Sequence, residues 1–310
     1  MTPEMVWAVV VAVLGGAIRV GTPFLFVSLG ECLTEKSGRI NLGLEGVLVF
    51  SAMAAFGASF LSGSAWVGVA AAALSGAALA LLHGLLCSLP RVNDLAMGIA
   101  VMMLGLGLAF FLGKPLIQPQ APVLVPLALG HWSESPAIRA ALEINPLFPV
   151  GLLIAAAMTW ALARSRWGLT VRLVGDSSDA ARAMGVPLHA TRIVATTLGG
   201  AIAGLGGACL SLYYPGSWNE SLSSGQGLIA VALVIFARWK PLACVGAAML
   251  FGGAGALGPA LQSVGVTGYT YLFNAVPYAL TLVILVVMTA SELIGALNDL
   301  NIRHIGFFVR

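Results

Sequence analysis

Runs of about twenty apolar residues, repeated along the chain, constrain this sequence more than any other feature. A helix of that length crosses roughly 30 Å of hydrocarbon and satisfies its backbone N–H and C=O groups internally. The runs cover approximately residues 5–29, 44–61, 66–89, 95–113, 146–163, 193–212, 228–237, 242–261 and 271–290. No ten-residue alternation of apolar and polar positions replaces them, which argues against a β-barrel. Of the 310 residues, 59% are hydrophobic and only 9% are charged, whereas soluble domains carry about a quarter charged residues. The expected fold is therefore all-α: a single polytopic transmembrane helical bundle over residues 1–310, with about nine spans and a range of eight to ten. The seventh run is too short to cross, and its helix is expected to begin within 223–227. The first five residues lack the basic region and small-residue cleavage site of a signal peptide, so the first run is expected to remain as a span.

Five of the fifteen basic residues, Arg164, Arg166, Arg172, Arg182 and Arg192, crowd into one polar interruption. With that interruption inside, helix alternation also places Lys36, Arg39, Arg91, Arg238, Lys240, Arg303 and Arg310 inside, twelve of the fifteen. Lys114 and Arg139 fall outside. Positive residues favour the cytoplasmic side, so the expected topology has the N-terminus outside and the C-terminus cytoplasmic. Segment 164–192 is then a cytoplasmic loop and 114–145 an external one, in a multi-pass protein of a bacterial cytoplasmic (inner) membrane. The same asymmetry explains the net charge of +3 without a nucleic-acid partner; lipid is the expected surroundings. Cys32, Cys87, Cys209 and Cys244 stand alone, mostly in apolar runs, and read as small core residues.

Within the cytoplasmic loop, residues 175–187 predict a helix of one to two turns. Ser177 or Ser178 can accept from the first free backbone N–H groups, and Asp179 suits the positive end of the macrodipole. Gly185 can take the left-handed stop, and Pro187 forbids continuation. A capped, isolated helix on the cytoplasmic face reads as a docking element for another protein.

Polar residues inside the bilayer are the next signal. Arg19 lies midway along the first run, and an unpaired cation there costs about 2.5–3.5 kcal/mol on insertion scales. It is expected to pair with Glu31 or Glu45, or else to line a polar path. Asn41, Glu45, Asn93, Asp94 and Asn274 sit beside helix ends or within runs. Each alone reads as inter-helix hydrogen bonding worth roughly 0.6–2 kcal/mol, and together they suggest a translocation path. Segment 30–46 mixes charges with glycines and is the expected place for irregular, re-entrant backbone, which survives at membrane depth only when buried in protein or lining a wet cavity. Gly200, Gly204 and Ala208, and likewise Ala254 and Gly258, repeat at four-residue spacing and point to close helix packing.

Several look-alikes fail on context. Residues 253–258 satisfy G-x-G-x-x-G but follow no strand, and no G-x-x-x-x-G-K-[ST] loop occurs, so the chain is expected to bind no nucleotide itself. Residues 222–226 resemble the signature loop of an ABC ATPase, but without a phosphate-binding loop this is coincidence or a helix start. His83, His131, His189 and His304 are scattered, no metal site is expected, and no nucleophile elbow appears. No catalytic residue is assigned.

The run Gly30, Glu31, Glu35, Lys36, Gly38, Asn41, Leu42, Gly43, Glu45 and Gly46 closely resembles the signature "GE-x-x-x-E-(K/R)-x-G-x-x-N-(L/I)-G-x-EG" of permease subunits in ABC importers for simple sugars, nucleosides and branched-chain amino acids. Asn93, Asp94 and Gly98 are similar to the family's "N-(E/D)-x-x-x-G" helix start. Gly168, Arg172 and Gly175, followed by Ala180, Ala181, Gly185 and Val186, resemble its coupling loop. Residues 225–232 and 276–282 resemble later signatures, so the likeness runs through nearly the whole chain. Within the family the chain looks most like the shorter nucleoside-type permease. The resemblance implies a second permease, hence a heterodimer, two cytoplasmic ATPase domains that hold ATP and Mg, and an external solute-binding protein. It implies no cofactor in this chain and no enzyme activity of its own. ATPase coupling is then expected at Asp179, Ala180, Ala181, Arg182 and Gly185. Asn41, Glu45, Asn93 and Asn274 are expected to line or brace the solute path, and Arg19 and Glu31 are the intramembrane charges. Asparagine amides suit a nucleoside or simple sugar, whereas an amino-acid zwitterion calls for formal charges of both signs. The alternatives are a branched-chain amino acid permease and a self-contained secondary transporter. The latter calls for inverted repeats, which the two halves do not display. A membrane-embedded enzyme would need clustered titratable groups, which the sequence lacks.

Overall fold

The computed structural model describes residues 3–265, 268, 272–273, 275–287 and 290. Among these, seven helices are long and apolar enough to cross a membrane. They are α1 (Pro3–Lys36), α2 (Leu44–Ser62), α3 (Ala65–Leu86), α4 (Asp94–Gly113), α6 (Leu147–Arg164), α9 (Leu188–Leu212) and α11 (Pro241–Ser263). Two shorter apolar helices, α10 (Gln226–Phe236) and α12 (Val276–Val287), fall on the seventh and ninth apolar runs. Between α4 and α6 lie a 3-10 turn at Lys114–Leu116, strands β1 (Leu127–Ala128) and β2 (Glu143–Ile144), and α5 (Pro136–Ala141). The two strands pair antiparallel, Leu127 opposite Ile144 and Ala128 opposite Glu143.

Residues 30–36 depart from the expected irregular backbone: they extend α1 without interruption. Gly30 is there for packing, since a Cβ on it would lie 2.3 Å from the Gly199 carbonyl oxygen of α9. The helix ends where Gly38 adopts φ +81° and its N–H reaches the Glu35 carbonyl at 2.9 Å, a conformation that costs glycine little. Only the short turn between α1 and α2 is irregular, and its Ser37, Arg39 and Asn41 are buried.

α9 occupies the centre of the bundle, against α1, α2 and α3. The small-residue spacing read from the sequence is its contact face: a Cβ on Gly204 would sit 2.3 Å from the Ala72 carbonyl oxygen, and one on Gly200 only 2.1 Å from the Ala80 Cβ. Such residues let backbones approach where lipid supplies no hydrophobic drive for association. Phe26, Leu48, Phe56, Leu212 and Trp218 form one buried cluster. Phe24, Leu25, Leu29, Leu233 and Phe251 form another. Cys32, Cys87, Cys209 and Cys244 are all buried, as expected of small core residues. Leu74, Met103, Phe111, Leu153 and Trp160 face outward, as the surface of a lipid-embedded bundle requires.

The stretch between α9 and α10 turns back into the bundle. Its Trp218 is 1% exposed and lies where a Cβ on Gly113, at the end of α4, would strike its ring. The chain then reaches Glu45, in the first turn of α2. The next residue of α2, Gly46, abuts Met102, close to the middle of α4, so α10 begins near mid-membrane. With 11 residues it spans about 16 Å at 1.5 Å per residue, roughly half the hydrocarbon thickness. Beyond its far end, the Trp239 indole N–H donates to the Glu35 carboxylate.

Segment 164–192 holds two helices where the sequence predicts one. α8 (Ser178–Ala183) is the expected capped helix. α7 (Arg166–Asp176) precedes it, with Ser165 capping the Gly168 N–H at 2.9 Å. Its buried face is Gly168, Val171 and Val174, a three-residue spacing hidden in the sequence by the surrounding arginines.

Candidate functional site

The turn between α1 and α2 gathers most of the buried charge. Arg39 donates to Asp94 Oδ1 at 2.5 Å and to Ser88 Oγ at 3.3 Å. Glu31, fully buried, accepts the Asn41 backbone N–H at 2.8 Å. The Asn41 side chain accepts the Gly43 N–H at 2.9 Å. These contacts hold the entry to α2 rigid and set the position of Glu45.

Glu45 is 7% exposed, and both its oxygens are engaged at the start of α10. Oε1 accepts from Ser223 Oγ at 2.5 Å and from the Gly225 N–H at 3.1 Å, and Oε2 accepts from the Gly227 N–H at 2.6 Å. A helix that begins inside hydrocarbon exposes free N–H groups and the positive end of its dipole. One carboxylate from a neighbouring helix answers both. The match is tight, for a Cβ on Gly227 would come within 2.5 Å of the Glu45 Cα.

The sequence-predicted path residues thus have backbone duties. Asn41 and Glu45 hold the turn and α10, while Asn93 caps α4 by accepting from the Leu95 and Ala96 N–H groups at 2.8 and 3.2 Å. None of the three lines a described cavity. Asn274 lies outside the described residues. Arg19 does not take either expected carboxylate partner. Its Nη2 donates to the Ala140 carbonyl at 3.1 Å, and its guanidinium lies 5.6 Å from the Tyr214 ring centroid. Glu31 Oε1 and both Glu45 oxygens serve backbone N–H groups elsewhere, and α5 brings its own carbonyl to the arginine.

Of three cavities along α1 among the described residues, two adjoin one another at Val20. One, of about 320 Å³, is lined by Gly15, Arg19, Ala140, Tyr214, Ala256 and Pro259. The second, of about 280 Å³, is lined by Phe24, Ser224, Gln226, Pro277 and Tyr278. Val20 lines both, so they follow one another from the α5 end of the bundle to the start of α10. Among the described residues no group of three or more His, Cys, Asp or Glu could hold a metal ion.

At the other end, α8 stands on the surface with its caps in place. Ser177 Oγ accepts the Ala180 N–H at 3.2 Å, and Gly185 takes φ +73°. Asp179 and Arg182 form an exposed pair at 3.5 Å, a geometry that contributes little stability in water. Ala181 is the buried anchor, packed with Val174 and Leu188, and Ala180 is exposed. Arg192 ties this helix to the rest: Nη2 donates to Ser178 Oγ at 2.9 Å, and Nε donates to the Ser37 carbonyl at 3.1 Å. Sequence reasoning treats Arg192 only as a topogenic charge and Gln226 only as part of a motif. Neither role has a local signal, because the partners of Arg192 are 14 and 155 residues away and the cavity beside Gln226 is assembled from four helices and a loop.

These features define a multi-pass helical membrane protein with a half-membrane helix and a capped surface helix wired to it. Residues 7–288 match the family described as branched-chain amino acid transport system / permease component, and the chain belongs to that family. Over 77% of this chain and 74% of the other, it is 33% identical to the Haloferax volcanii protein named "Putative glucose ABC transporter permease protein TsgC13". It is 27% identical to the guanosine ABC transporter permease protein NupQ of Bacillus subtilis, over 88% of each chain. It is 26% identical to the nucleoside ABC transporter permease protein NupC of Lactococcus lactis, over 90% of this chain and 93% of that one.

Proposed function

We propose that this chain is the transmembrane permease of an ATP-driven, binding-protein-dependent importer for a neutral, hydroxyl-rich solute, a nucleoside or a simple sugar. The observation that carries this reading is the continuous set of contacts from the surface helix α8 to the mid-membrane start of α10. Arg192 joins Ser178 to Ser37, the α1–α2 turn leads to Glu45, and Glu45 holds the backbone that borders the second cavity. A surface helix so connected, in a chain without a nucleotide-binding loop, suits an external motor.

In this mechanism two cytoplasmic ATPase domains, carrying ATP and Mg, close and move α8 through Asp179, Ala180, Ala181, Arg182 and Gly185. Arg192 carries the displacement to the α1–α2 turn, and α10 with its capping carboxylate shifts relative to α1 and α11. The cavities then open alternately to either side, a two-state change biased by nucleotide and solute. Asn41, Glu45 and Asn93 brace the path rather than coat it. The single permease domain spans residues 1–310, with segment 164–192 cytoplasmic, segment 114–145 facing an external binding protein, the N-terminus outside and the C-terminus inside. A second, non-identical permease completes the membrane unit. The nucleoside and sugar relatives support the solute class.

The test is reconstitution in vesicles with the second permease, the ATPases and the binding protein. Uptake of labelled nucleoside or sugar is expected to be saturable, to require ATP and to stop when the ATPases are omitted. ATP-independent uptake would identify a secondary transporter, and competition by branched-chain amino acids alone would reassign the solute.

A further inference from the structure

The second cavity is bordered by a residue whose side-chain polar group the protein leaves without a partner. The Tyr278 hydroxyl donates to the Ser224 carbonyl, and the Ser224 hydroxyl donates to the Ser221 carbonyl at 3.1 Å. Gln226, on the same wall, differs: its side-chain carbonyl Oε1 is buried and accepts no hydrogen bond among the described residues. Leaving such an acceptor unsatisfied costs about 1–3 kcal/mol, and turning the side-chain amide toward a polar occupant of the cavity removes that cost. The side-chain amide also brings two N–H donors, so the group can answer a donor and an acceptor on one ligand.

The rest of the lining restricts what that ligand is. None of the described residues around this cavity carries a formal charge. Glu45, the carboxylate that stabilises the start of α10, spends its oxygens on Ser223, Gly225 and Gly227. A zwitterion placed here would keep both charges unpaired in a low-dielectric space, which is far costlier than an unpaired amide. Phe24 and Pro277 offer apolar faces for a ring. The volume of about 280 Å³ lies near the lower end of the roughly 300–1,000 Å³ of small-molecule sites, a fit for one nucleoside or monosaccharide.

We infer that this mid-membrane cavity is a solute-binding site in which Gln226 is the specificity-determining contact for a neutral ligand that carries hydroxyl or N–H donors. The inference deepens the permease reading and rests on it. Glu45 contributes by positioning the backbone on which Gln226 stands.

The experiment uses the reconstituted complex with its binding protein and labelled nucleosides and monosaccharides, comparing Gln226→Met and Gln226→Glu with the parent. Met keeps the length and removes the hydrogen bonds, so the Michaelis constant for the transported solute is expected to rise about tenfold, the equivalent of 1.4 kcal/mol. The maximal rate is expected to change much less, because the interaction is made in the bound ground state. Glu keeps acceptors and loses donors, so it is expected to change the ranking of competing solutes. A second measurement does not depend on a Gln226 variant: in a background without native cysteines, Ser224→Cys is expected to be alkylated several-fold more slowly when the transported solute is present. An unchanged Michaelis constant and ranking in both variants, or no protection of Ser224→Cys, in a complex that imports nucleosides or sugars would overturn this site and leave the permease reading intact. Import of charged solutes alone would overturn both the site and the proposed solute class.

Discussion

α9 and α10 follow one another in the chain and satisfy the same membrane in opposite ways. α9 has 25 residues, long enough to keep its hydrogen bonds internal, and its demand on the neighbours is steric. Gly199, Gly200, Gly204 and Gly207 each lie so close to another helix that a Cβ would come within 2.6 Å of a neighbouring atom. α10 has 11 residues and leaves N–H groups at mid-depth, so its demand is electrostatic. That demand is met by Glu45, which is 180 and 182 residues away from the two glycines it binds. A full-length helix is therefore sensitive to volume, and a half-length helix is sensitive to one distant charge.

The largest expected effect separates these demands. Glu45→Ala leaves a buried backbone donor, a part-buried one and a hydroxyl unpaired, and hydrogen bonds to a charged group are worth about 1.5–3 kcal/mol each. Uptake is expected to fall below detection while the protein still inserts; initial rates in vesicles check the loss, and detergent-stable yield checks the insertion. Normal uptake by Glu45→Ala would break the electrostatic half of the comparison.

Next is Gly204→Val on α9, whose Cβ would press against the Ala72 carbonyl and Ser51. Overpacking of this kind costs about 1–3 kcal/mol or more, so a lower midpoint of thermal unfolding in detergent is expected. Gly246→Ala on α11, where a Cβ meets nothing within 4 Å, is the control and is expected to leave the midpoint unchanged or slightly raised, since alanine is the better helix former.

Arg192→Ala should affect coupling more than folding. It removes the link between α8 and the α1–α2 turn, so ATP hydrolysis by the complex is expected to lose most of its stimulation by solute-loaded binding protein. Arg192→Lys retains the charge but cannot reach two partners in a fork, and an intermediate stimulation is expected. Parental stimulation in both variants would remove Arg192 from the proposed transmission route.

Smallest is Asn93. As an N-cap of α4, its replacement by alanine should cost about 1 kcal/mol of stability, while aspartate, which caps equally well, should cost little. Thermal unfolding of the pair measures this. A large loss of uptake in Asn93→Asp at unchanged stability would point instead to direct contact with solute.

Much of this arrangement is legible in the sequence because the membrane imposes strong local rules. The apolar runs locate the helices, and the shortness of 228–237 marks a helix that cannot cross, with its start at Gln226 inside the expected 223–227 window. Ser177, Asp179 and Gly185 write the caps of the six-residue α8 into the local sequence. The glycine spacing of α9 marks its packing face. Each signal is local: length, periodicity or a cap acts over a few positions, so the physics can be read without knowing what lies opposite.

Tertiary structure alone decided the partners. Nothing near Arg19 announces the Ala140 carbonyl or Tyr214, and a charge inside an apolar run favours a carboxylate partner on first principles. Instead, Glu31 Oε1 and both Glu45 oxygens answer backbone N–H groups exposed by a helix end and a half-helix whose positions depend on packing. Segment 30–36 stays helical because Gly30 meets Gly199, a contact made by a helix that begins more than 150 residues later. Sequence determined where hydrocarbon is crossed and where caps sit, because each residue carries its own transfer and capping preference. The three-dimensional fold decided which buried polar group faces which, because in a low-dielectric interior any donor can satisfy any acceptor and only proximity selects between them.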